Sequence, residues 1–270
     1  MRTAFQLLAF LRRDWRLARS STLGLAWQAV AVVFATPTLY YLGRLVRPET
    51  PSLARYGGDY FAFAILGIAC SGLLASVMGA CAAAVRQEQV GGTLDVLLTL
   101  PASLPTLAVG ASLWPMLLTL AQTALYVGLG VAVFHVDLGR VNLLGAAVIL
   151  GLGTVVSAAL GLLSAAFVLL FRRPDPLTGI VAGVGALFGG VFYPVDVLPS
   201  RARILAEFVP LTHALHGVRL AVLRGAGLPA LLPPMLVLLA WCLVAVPASL
   251  VIARWALHEA RRSGAVSGYG

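Results

Sequence analysis

The sequence has 270 residues, of which 60% are hydrophobic and only 11% are charged, with a mean hydropathy of +0.95. A soluble domain averages roughly 25% charged residues, so this chain lacks the polar surface that would cover a water-soluble globule of its size. All 19 basic residues are arginines, and the net charge is +9. They flank apolar runs and form no basic stripe on a polar domain, which disfavours nucleic acid as a partner and indicates a protein embedded in membrane lipid.

Residues 1–20 precede the first apolar run and carry five arginines. At helical spacing, Phe5, Leu8, Leu11 and Trp15 share one face, while the arginines gather on others. This periodicity favours an amphipathic helix that lies on the membrane surface with its apolar face down. An irregular basic segment next to the membrane is the alternative.

Six apolar segments follow, each long enough to cross the hydrocarbon core of roughly 30 Å, which takes about 20 helical residues. The predicted spans cover residues 21–45, 60–85, 105–134, 143–171, 176–194 and 231–254. The fold class is therefore an all-α membrane protein with six transmembrane helices in a single domain over residues 1–270. With both termini in the cytoplasm, 11 of the 19 arginines fall on the inner side, and this bias favours that orientation.

Several residue types and motifs are absent from the sequence or from its predicted spans, and their absence limits the functions that this protein could have. The ten acidic residues all fall in loops, flanks or termini of the predicted spans. Proton- and sodium-coupled carriers usually keep an ionisable residue at membrane depth to bind the driving ion, so a secondary carrier is disfavoured. Without lysine the chain has no G-x-x-x-x-G-K-[ST] phosphate loop, so another polypeptide must hydrolyse any ATP that drives it. Zinc-protease and serine-nucleophile motifs are also missing, and we expect no enzyme activity, metal or cofactor in this chain.

The loop between the second and third predicted spans, residues 86–101, is apolar enough to dock on a partner. The pattern predicts a short helix in this segment, with Thr93 as its N-terminal cap and Asp95 near its positive end. The apolar residues of the helix are Leu94, Leu97 and Leu98. Exposed leucines on a water-facing helix favour a protein partner, and a helix that lies on the membrane is the alternative.

The apolar segment after the fifth span is broken by Pro194, Pro199 and Pro210 into pieces too short to cross a membrane. Half-helices that dip into the outer leaflet and return to the same side fit such a segment best. His213 and His216 stand three residues apart with no third ligand nearby, so zinc binding is disfavoured. We expect hydrogen bonding or simple burial for both histidines.

Together these two segments resemble the type-2 ABC exporter permeases, and in particular their drug and nodulation-factor (lipo-chitooligosaccharide) branch. That branch shows an E-x-x-x-G-T-L-E-x-L-L-x-T-P loop, followed by G-x-x-F-P-x-x-x-L-P and P-L-T-H-x-x-x-x-x-R near the fifth span. The loop matches at Glu88, Gly92, Thr93, Leu94, Leu97, Leu98 and Pro101, while Asp95 replaces Glu and Leu100 stands where Thr is usual. The second region matches at Pro194, Leu198, Pro199, Pro210, Leu211, Thr212, His213 and Arg219.

The resemblance implies the membrane subunit of an ATP-binding cassette exporter in the bacterial cytoplasmic membrane, surrounded by membrane lipid. Its substrate would be a drug, a lipid or a lipid-linked glycan. Its partners would be two cytosolic ATPase subunits, which hold ATP and Mg²⁺, and a second permease copy, most simply in a homodimer, with a close relative in a heterodimer as the alternative.

The resemblance also assigns roles to residues. The ATPase-coupling residues would be Glu88, Gly92, Thr93, Leu94, Asp95, Leu97 and Leu98. The outer-gate residues would be Pro194, Pro199, Pro210, His213 and Arg219. The residues that line the path, from spans one and five, would be Trp27, Gln28, Phe188, Phe192 and Tyr193, although aromatic residues at such depths also serve as interface anchors.

These predictions divide the chain into six segments. They are an interface helix (1–20), spans one and two (21–85), a coupling loop with its helix (86–104), spans three to five (105–194), a re-entrant outer segment (195–230), and span six with a cytoplasmic tail (231–270). Two other functions stay open from the residues alone, namely a secondary carrier and a membrane assembly protein with no transport role.

Overall fold

The computed structural model describes residues 22–45, 51–91, 104–134, 141–171, 173 and 175–262. Over these residues the protein is helical and has no β-strand, which confirms the all-α fold class. The predicted interface helix at 1–20, most of the coupling loop (92–103) and the end of the tail (263–270) lie outside the described residues. The side chains of Trp27 and Gln28 also lie outside them, although their backbone belongs to the first helix.

Six of the helices correspond to the predicted spans. They are α1 (Thr22–Leu45), α3 (Tyr60–Val90), α4 (Leu104–Ala132), α5 (Leu143–Phe171), α6 (Pro176–Phe188) and α9 (Leu228–Arg262). The other described elements are short: α2 (Pro51–Ala54), a 3₁₀ turn (Val195–Val197), α7 (Ser200–Glu207) and α8 (Pro210–Leu223).

Length and composition let four of these stretches cross a membrane. Within the described ranges they are Tyr60–Val90, Ser112–Ala132, Leu143–Phe171 and Leu228–Ala260. Two further apolar stretches are shorter, Val30–Leu45 of α1 and all of α6. The protein is therefore built for a membrane, and the six-span topology stays a prediction.

The α6 helix ends at Phe188 instead of at the predicted residue 194. Gly189 caps the helix, and Gly190 adopts a φ of +70°, which L side chains rarely adopt and which breaks the helix. The 13 residues of α6 extend about 20 Å at 1.5 Å per residue, less than the hydrocarbon core of roughly 30 Å. This helix does not cross a bilayer by its own length.

The α3 helix ends later than predicted, because residues 86–90 continue it instead of opening a loop. Gln89 is buried at this end, and its Nε2 donates to the Val168 carbonyl oxygen of α5 at 2.9 Å. Gly91 then caps the helix by donating its N–H to the Gln87 carbonyl oxygen at 2.9 Å. Glu88, predicted to belong to the coupling loop, therefore lies in the last turn of a packed helix.

The core of the bundle lies where α3, α5 and α9 pack together. Near the α3 C-terminus the contacts are made by small residues, such as Ala165, Ala253 and Ala256. A Cβ atom on Gly161 of α5 would lie 2.6 Å from the Met78 carbonyl oxygen of α3. The two backbones therefore touch at this point, which is how small residues let helices pack where lipid supplies no hydrophobic drive between them.

The α8 helix packs into the other end of the bundle, against α3, α5 and α9. Leu215 of α8 meets Ile149 of α5 and Leu238 of α9, and all three side chains are almost fully buried. Asn142, just before α5, holds the chain that follows α8, because its Nδ2 donates to the Ala226 carbonyl oxygen at 2.8 Å. These contacts place α8 beside the first turns of α3.

Candidate functional site

A buried arginine, Arg219 of α8, joins three segments of the chain, and it is only 3% exposed. Its guanidinium donates to three backbone carbonyl oxygens, from Nε to Phe63 at 3.1 Å, from Nη1 to Gly190 at 2.7 Å and from Nη2 to Val191 at 2.9 Å. The Phe63 ring stacks on the guanidinium, with its centroid 3.4 Å from Cζ. Removing a charge from water is costly, and the three carbonyl oxygens and the ring offset part of that cost.

Gly67 of α3 makes room for this arrangement. A Cβ atom at Gly67 would overlap both the Val191 carbonyl oxygen and the Nη2 atom of Arg219. A larger residue would therefore push the turn after α6 away from α3. We call Phe63, Gly67, Gly190, Val191 and Arg219 the Arg219 cluster.

A tyrosine–histidine contact lies beside the Arg219 cluster. The Tyr56 hydroxyl oxygen lies 2.6 Å from Nδ1 of His216, and the Tyr56 ring packs on Phe63 with centroids 5.2 Å apart. Burial lowers the pKa of His216, and the charge of Arg55 lowers that pKa further. Burial likewise raises the pKa of Tyr56. Both groups are therefore neutral where they meet, and the tautomer of His216 determines which of them donates the hydrogen bond.

Exposed charges surround this end of the bundle. Arg55 pairs with Asp196 at 3.2 Å, between the chain after α2 and the 3₁₀ turn. The guanidinium of Arg224 donates from Nε to the Arg55 carbonyl oxygen at 3.1 Å. Because water screens exposed charges, each such contact contributes little to stability by itself. They align the segments that the buried arginine holds.

The other end of α6 is tied down by a carboxylate. Asp175 caps α6 and accepts hydrogen bonds from the Ser164 hydroxyl at 2.6 Å, from the Leu177 N–H at 2.9 Å and from the Thr178 N–H and hydroxyl. Burial opposes ionisation of Asp175, but these hydrogen bonds outweigh burial and hold its pKa below the ordinary value. Since Ser164 belongs to α5, the cap fastens the start of α6 to the bundle.

Each predicted outer-gate proline begins a helical element. Pro194 precedes the 3₁₀ turn, Pro199 precedes α7 and Pro210 opens α8. Proline suits the first position of a helix, where its missing N–H has no intrahelical partner. His213 donates from Nε2 to the last carbonyl oxygen of α7 at 2.8 Å, across the corner between α7 and α8. These four residues shape the segment, and Arg219 alone of the predicted gate residues belongs to the buried cluster.

Of the predicted path residues, Phe192 is 45% exposed and lines a cavity of about 350 Å³ between α3, α5 and α6. Phe188 is half-buried at the end of α6, and the Tyr193 hydroxyl donates to the Leu187 carbonyl oxygen. The structure therefore places one of the three described aromatic candidates in a cavity wall. Across the described ranges, no group of three or more His, Cys, Asp and Glu side chains is arranged to hold a metal ion.

Sequence reasoning missed Tyr56, Phe63 and Gly67. Each of them looks like an ordinary membrane or loop residue in the sequence, and their roles come from contacts with residues more than 100 positions away. The available signal was Arg219 itself. An arginine in an apolar stretch without a neighbouring acid needs other acceptors, and backbone carbonyl groups at a helix break supply them.

The ABC-2 type transporter family model matches residues 5–223 of this chain. The matched range includes the Arg219 cluster, the Tyr56–His216 contact and the predicted coupling loop. No curated protein matches the sequence at a significant level. The match covers most of the chain and agrees with its long apolar helices. The chain therefore belongs to the ABC-2 type transporter family, and it is an integral membrane permease component of an ABC transporter that works with ABC ATPase subunits.

Proposed function

We propose that this permease is the transmembrane subunit of an exporter, which moves an amphipathic or hydrophobic molecule outward. A drug, a lipid or a lipid-linked glycan fits that description. The observation that carries the proposal is the Arg219 cluster, which fastens the broken segment after α6 to α3. A segment that breaks, turns and packs back on the bundle is suited to closing a path at one face of the membrane.

The distribution of arginines supports an outward-facing Arg219 cluster. Arg86, Arg173, Arg254 and Arg262 lie at the opposite end of the bundle, near the ends of α3, α5 and α9. Together with Arg172, Arg261 and the five arginines of residues 1–20, they bring 11 of the 19 arginines to the predicted inner side, against eight on the side of the Arg219 cluster. Positive charge concentrates on the cytoplasmic side of membrane proteins. We therefore take that end as cytoplasmic and the Arg219 cluster as extracytoplasmic, with both termini in the cytoplasm of a bacterial cell.

The α3 helix would carry motion between the two faces. The predicted coupling loop follows it directly, and Gln89 at its end is bonded to α5. From Gln89 back to Gly67 is 22 residues, or about 33 Å at 1.5 Å per residue. A displacement of the loop by an ATPase subunit would thus reach the Arg219 cluster through one continuous helix. The chain itself would hydrolyse no ATP and bind no cofactor.

A second permease copy would complete the path. Apolar side chains of α1 and α6 point away from the bundle, including Phe34 (72% exposed), Ile180 (60% exposed) and Leu187 (55% exposed). A homodimer that joins these faces would bury them and enclose a path between the copies. The predicted path residues Trp27, Gln28, Phe188, Phe192 and Tyr193 all belong to these two helices or to the turn after α6.

The decisive experiment is transport by the reconstituted permease–ATPase complex in inside-out proteoliposomes. A fluorescent short-chain phosphatidylethanolamine and a cationic dye serve as probes. We expect ATP-dependent movement of a probe into the vesicle lumen or inner leaflet, and none with the permease alone. Movement driven by a proton gradient without ATP would show a secondary carrier instead. No movement of any amphipathic probe under either condition would favour a membrane assembly protein.

Two variants test the coupling loop in the same system. Leu97→Ala should weaken association with the ATPase by about 1–3 kcal/mol, as expected for a buried interface anchor. Asp95→Arg should lower transport without lowering membrane insertion, because a rim charge steers docking. The measurements are co-purification with the ATPase and ATP-driven probe transport. Normal association and transport in both variants would rule out this loop as the coupling element.

A further inference from the structure

We propose that the cavity beside α6 holds one acyl chain of a resident lipid from the outer leaflet, separate from the transported substrate. The cavity measures about 350 Å³. Protein interiors are close-packed, with few voids larger than a water molecule. An apolar cavity of roughly 150 Å³ is already large enough to bind benzene, so this one has space for a chain of about a dozen carbons.

The cavity exists because α6 is fastened at its two ends and spaced from the bundle between them. Asp175 ties its start to Ser164 of α5. At the other end Arg219 holds the Val191 carbonyl oxygen, and the side chains of Val191 and Phe192 form part of the cavity wall. Between these two ties several of the facing residues are small, namely Gly72, Ala75, Ala182, Gly185 and Ala186. Such side chains cannot fill the gap, and the ties prevent α6 from closing it.

The wall favours hydrocarbon over water. It is formed almost entirely by apolar side chains, among them Leu74, Met78 and Val156. Two serines, Ser71 and Ser157, are the polar side chains of the wall, and the Ser71 hydroxyl donates to the Ile68 carbonyl oxygen of its own helix at 3.1 Å. A buried water needs two to four polar partners, and cavities of apolar lining stay dry. The surrounding medium that can enter is therefore the acyl chain of a lipid.

Depth and access agree with an outer-leaflet chain. The cavity runs along α3 from Ile68 to Met78, which begin 8 and 18 residues after Tyr60. These positions lie about 12 and 27 Å along the 31-residue helix, which is about 46 Å long, so the cavity lies mostly in the half of α3 nearer the Arg219 cluster and reaches the middle of the helix, where acyl-chain termini lie. On α6, Val181 and Ala182 of the wall are also exposed, so the cavity opens at the surface of the single chain. Assignment to the outer leaflet rests on the proposed function and its topology.

An acyl chain in this position would fill the space that core side chains leave empty, and it could leave the cavity. It would support α6 where the protein supplies no side chain. Any movement of α6 toward α3 would have to expel the chain, so lipid occupancy and the position of α6 would be linked. Tightly held lipid would thereby favour the separated position seen here.

The test uses the full permease–ATPase complex in phosphatidylglycerol–phosphatidylethanolamine nanodiscs. The probe is phosphatidylethanolamine with a photoreactive diazirine at the terminal carbon of one acyl chain. After illumination without nucleotide, mass spectrometry should find the label on Leu74, Met78 or Val156. A lipid with the diazirine near the glycerol should not label these residues. Ala75→Leu fills the cavity and should reduce their labelling several-fold.

The matched control is Ala83→Leu on the same helix, an exposed alanine outside the cavity, and it should leave labelling unchanged. Ala182→Leu fills the cavity from α6 and provides a second test if Ala75→Leu fails to fold. Equal labelling in filled and control variants would overturn the inference, as would ATP-driven movement of the same labelled lipid to the inner leaflet of the inside-out proteoliposomes. Asp95→Arg should block transport while cavity labelling persists. Cavity labelling of the wild type together with no ATP-driven movement of the dye or of the short-chain lipid in proteoliposomes would refute the proposed function alone.

Discussion

The α5 and α6 helices both carry small residues four positions apart, and the chain itself covers the row on α5 but leaves the Gly179–Gly183 row of α6 open. A Cβ atom on Gly153 or Gly161 of α5 would lie within 3.2 Å of α3 atoms. A Cβ atom on Gly179 or Gly183 of α6 would meet nothing within 4 Å. A row of small residues therefore indicates a helix surface that another backbone can approach closely, but the row alone does not indicate which backbone packs there.

The neighbours of each helix account for this difference. The α5 helix has 29 residues and lies between α3 and α9, which are also long. The α6 helix has 13 residues and is fastened mainly through Asp175 and the turn at Gly190. The exposed row on α6 is consequently available to a second copy of the chain or to lipid.

The largest effect is expected from removing the tie that holds the end of α6. Arg219→Met removes the guanidinium donor from the carbonyl groups of Gly190 and Val191, while the Phe63 carbonyl keeps its bond within α3. A buried carbonyl group left unsatisfied is costly. We expect a loss of about 2–5 kcal/mol of stability, measured as a lower thermal midpoint in detergent. Arg224→Met removes an exposed arginine nearby and should cost less than about 1 kcal/mol. Similar midpoints for the two variants would contradict a central role for Arg219.

The difference between the small-residue rows of α5 and α6 can be tested directly by placing leucine in each row. Gly161→Leu forces the α3 and α5 backbones apart and should destabilise the permease by about 1–3 kcal/mol. Gly183→Leu enters open space and should stay within about 0.5 kcal/mol of the wild type. Both values come from thermal unfolding of the purified permease without its ATPase. If Gly183→Leu were as damaging as Gly161→Leu, the Gly179–Gly183 row of α6 would be covered in the purified permease, which would contradict the comparison.

Disulfide cross-linking can show whether a second copy of the chain covers the open row of α6, at Gly179 and Gly183. In a background without Cys70, Cys81 and Cys242, Gly179→Cys should form a disulfide between two copies when oxidised in membranes. Gly153→Cys should form none, because α3 already covers that position. The readout is the dimer band on a non-reducing gel. Monomer alone for Gly179→Cys would assign the open row to lipid.

The smallest effect concerns pH and the Tyr56–His216 contact. Burial holds the pKa of His216 below its ordinary 6.5 in the folded protein, so the unfolded chain binds a proton at higher pH than the fold does. The stabilisation from neutral His216 is complete above pH 6.5 and is lost as the pH falls below that value. Thermal midpoints should therefore drop on acidification.

Substitution separates the effect of this histidine from that of its charged or titratable neighbours Arg55, Asp196, His213 and Arg219. His216→Gln keeps a hydrogen-bond partner for Tyr56 but does not titrate, so its thermal midpoint should vary less between about pH 7 and 5.5. A slope as steep as that of the wild type would assign the pH dependence to another group.

Apolar patterning predicted the long helices well, because a run of 20 or more apolar residues has few alternatives in a membrane. For α5 the predicted range of 143–171 matches the observed helix. The errors arose at helix ends. Gly189 and Gly190 stop α6 early through a backbone conformation, and the bond from Gln89 to Val168 extends α3 through packing. Neither effect is visible in hydropathy.

The candidate site was predicted only in part. Proline favours the start of a helix, and the breaks that the sequence indicated at Pro194, Pro199 and Pro210 are the points where helical elements begin. The partners of Arg219 could not be predicted, because every residue carries a carbonyl group and none of the three acceptors has a polar side chain. An ion pair between Arg219 and an acidic side chain would have been easier to predict from the sequence.

Recognition of the main chain by Arg219 also determines how substitutions at this site would be tolerated. Val191 can change to other apolar residues and still present the same oxygen atom to the guanidinium. Gly67 has no such freedom, since any side chain overlaps both partners of that bond. A saturation library scored for folded protein should therefore accept many residues at position 191 and almost none at positions 67 and 219.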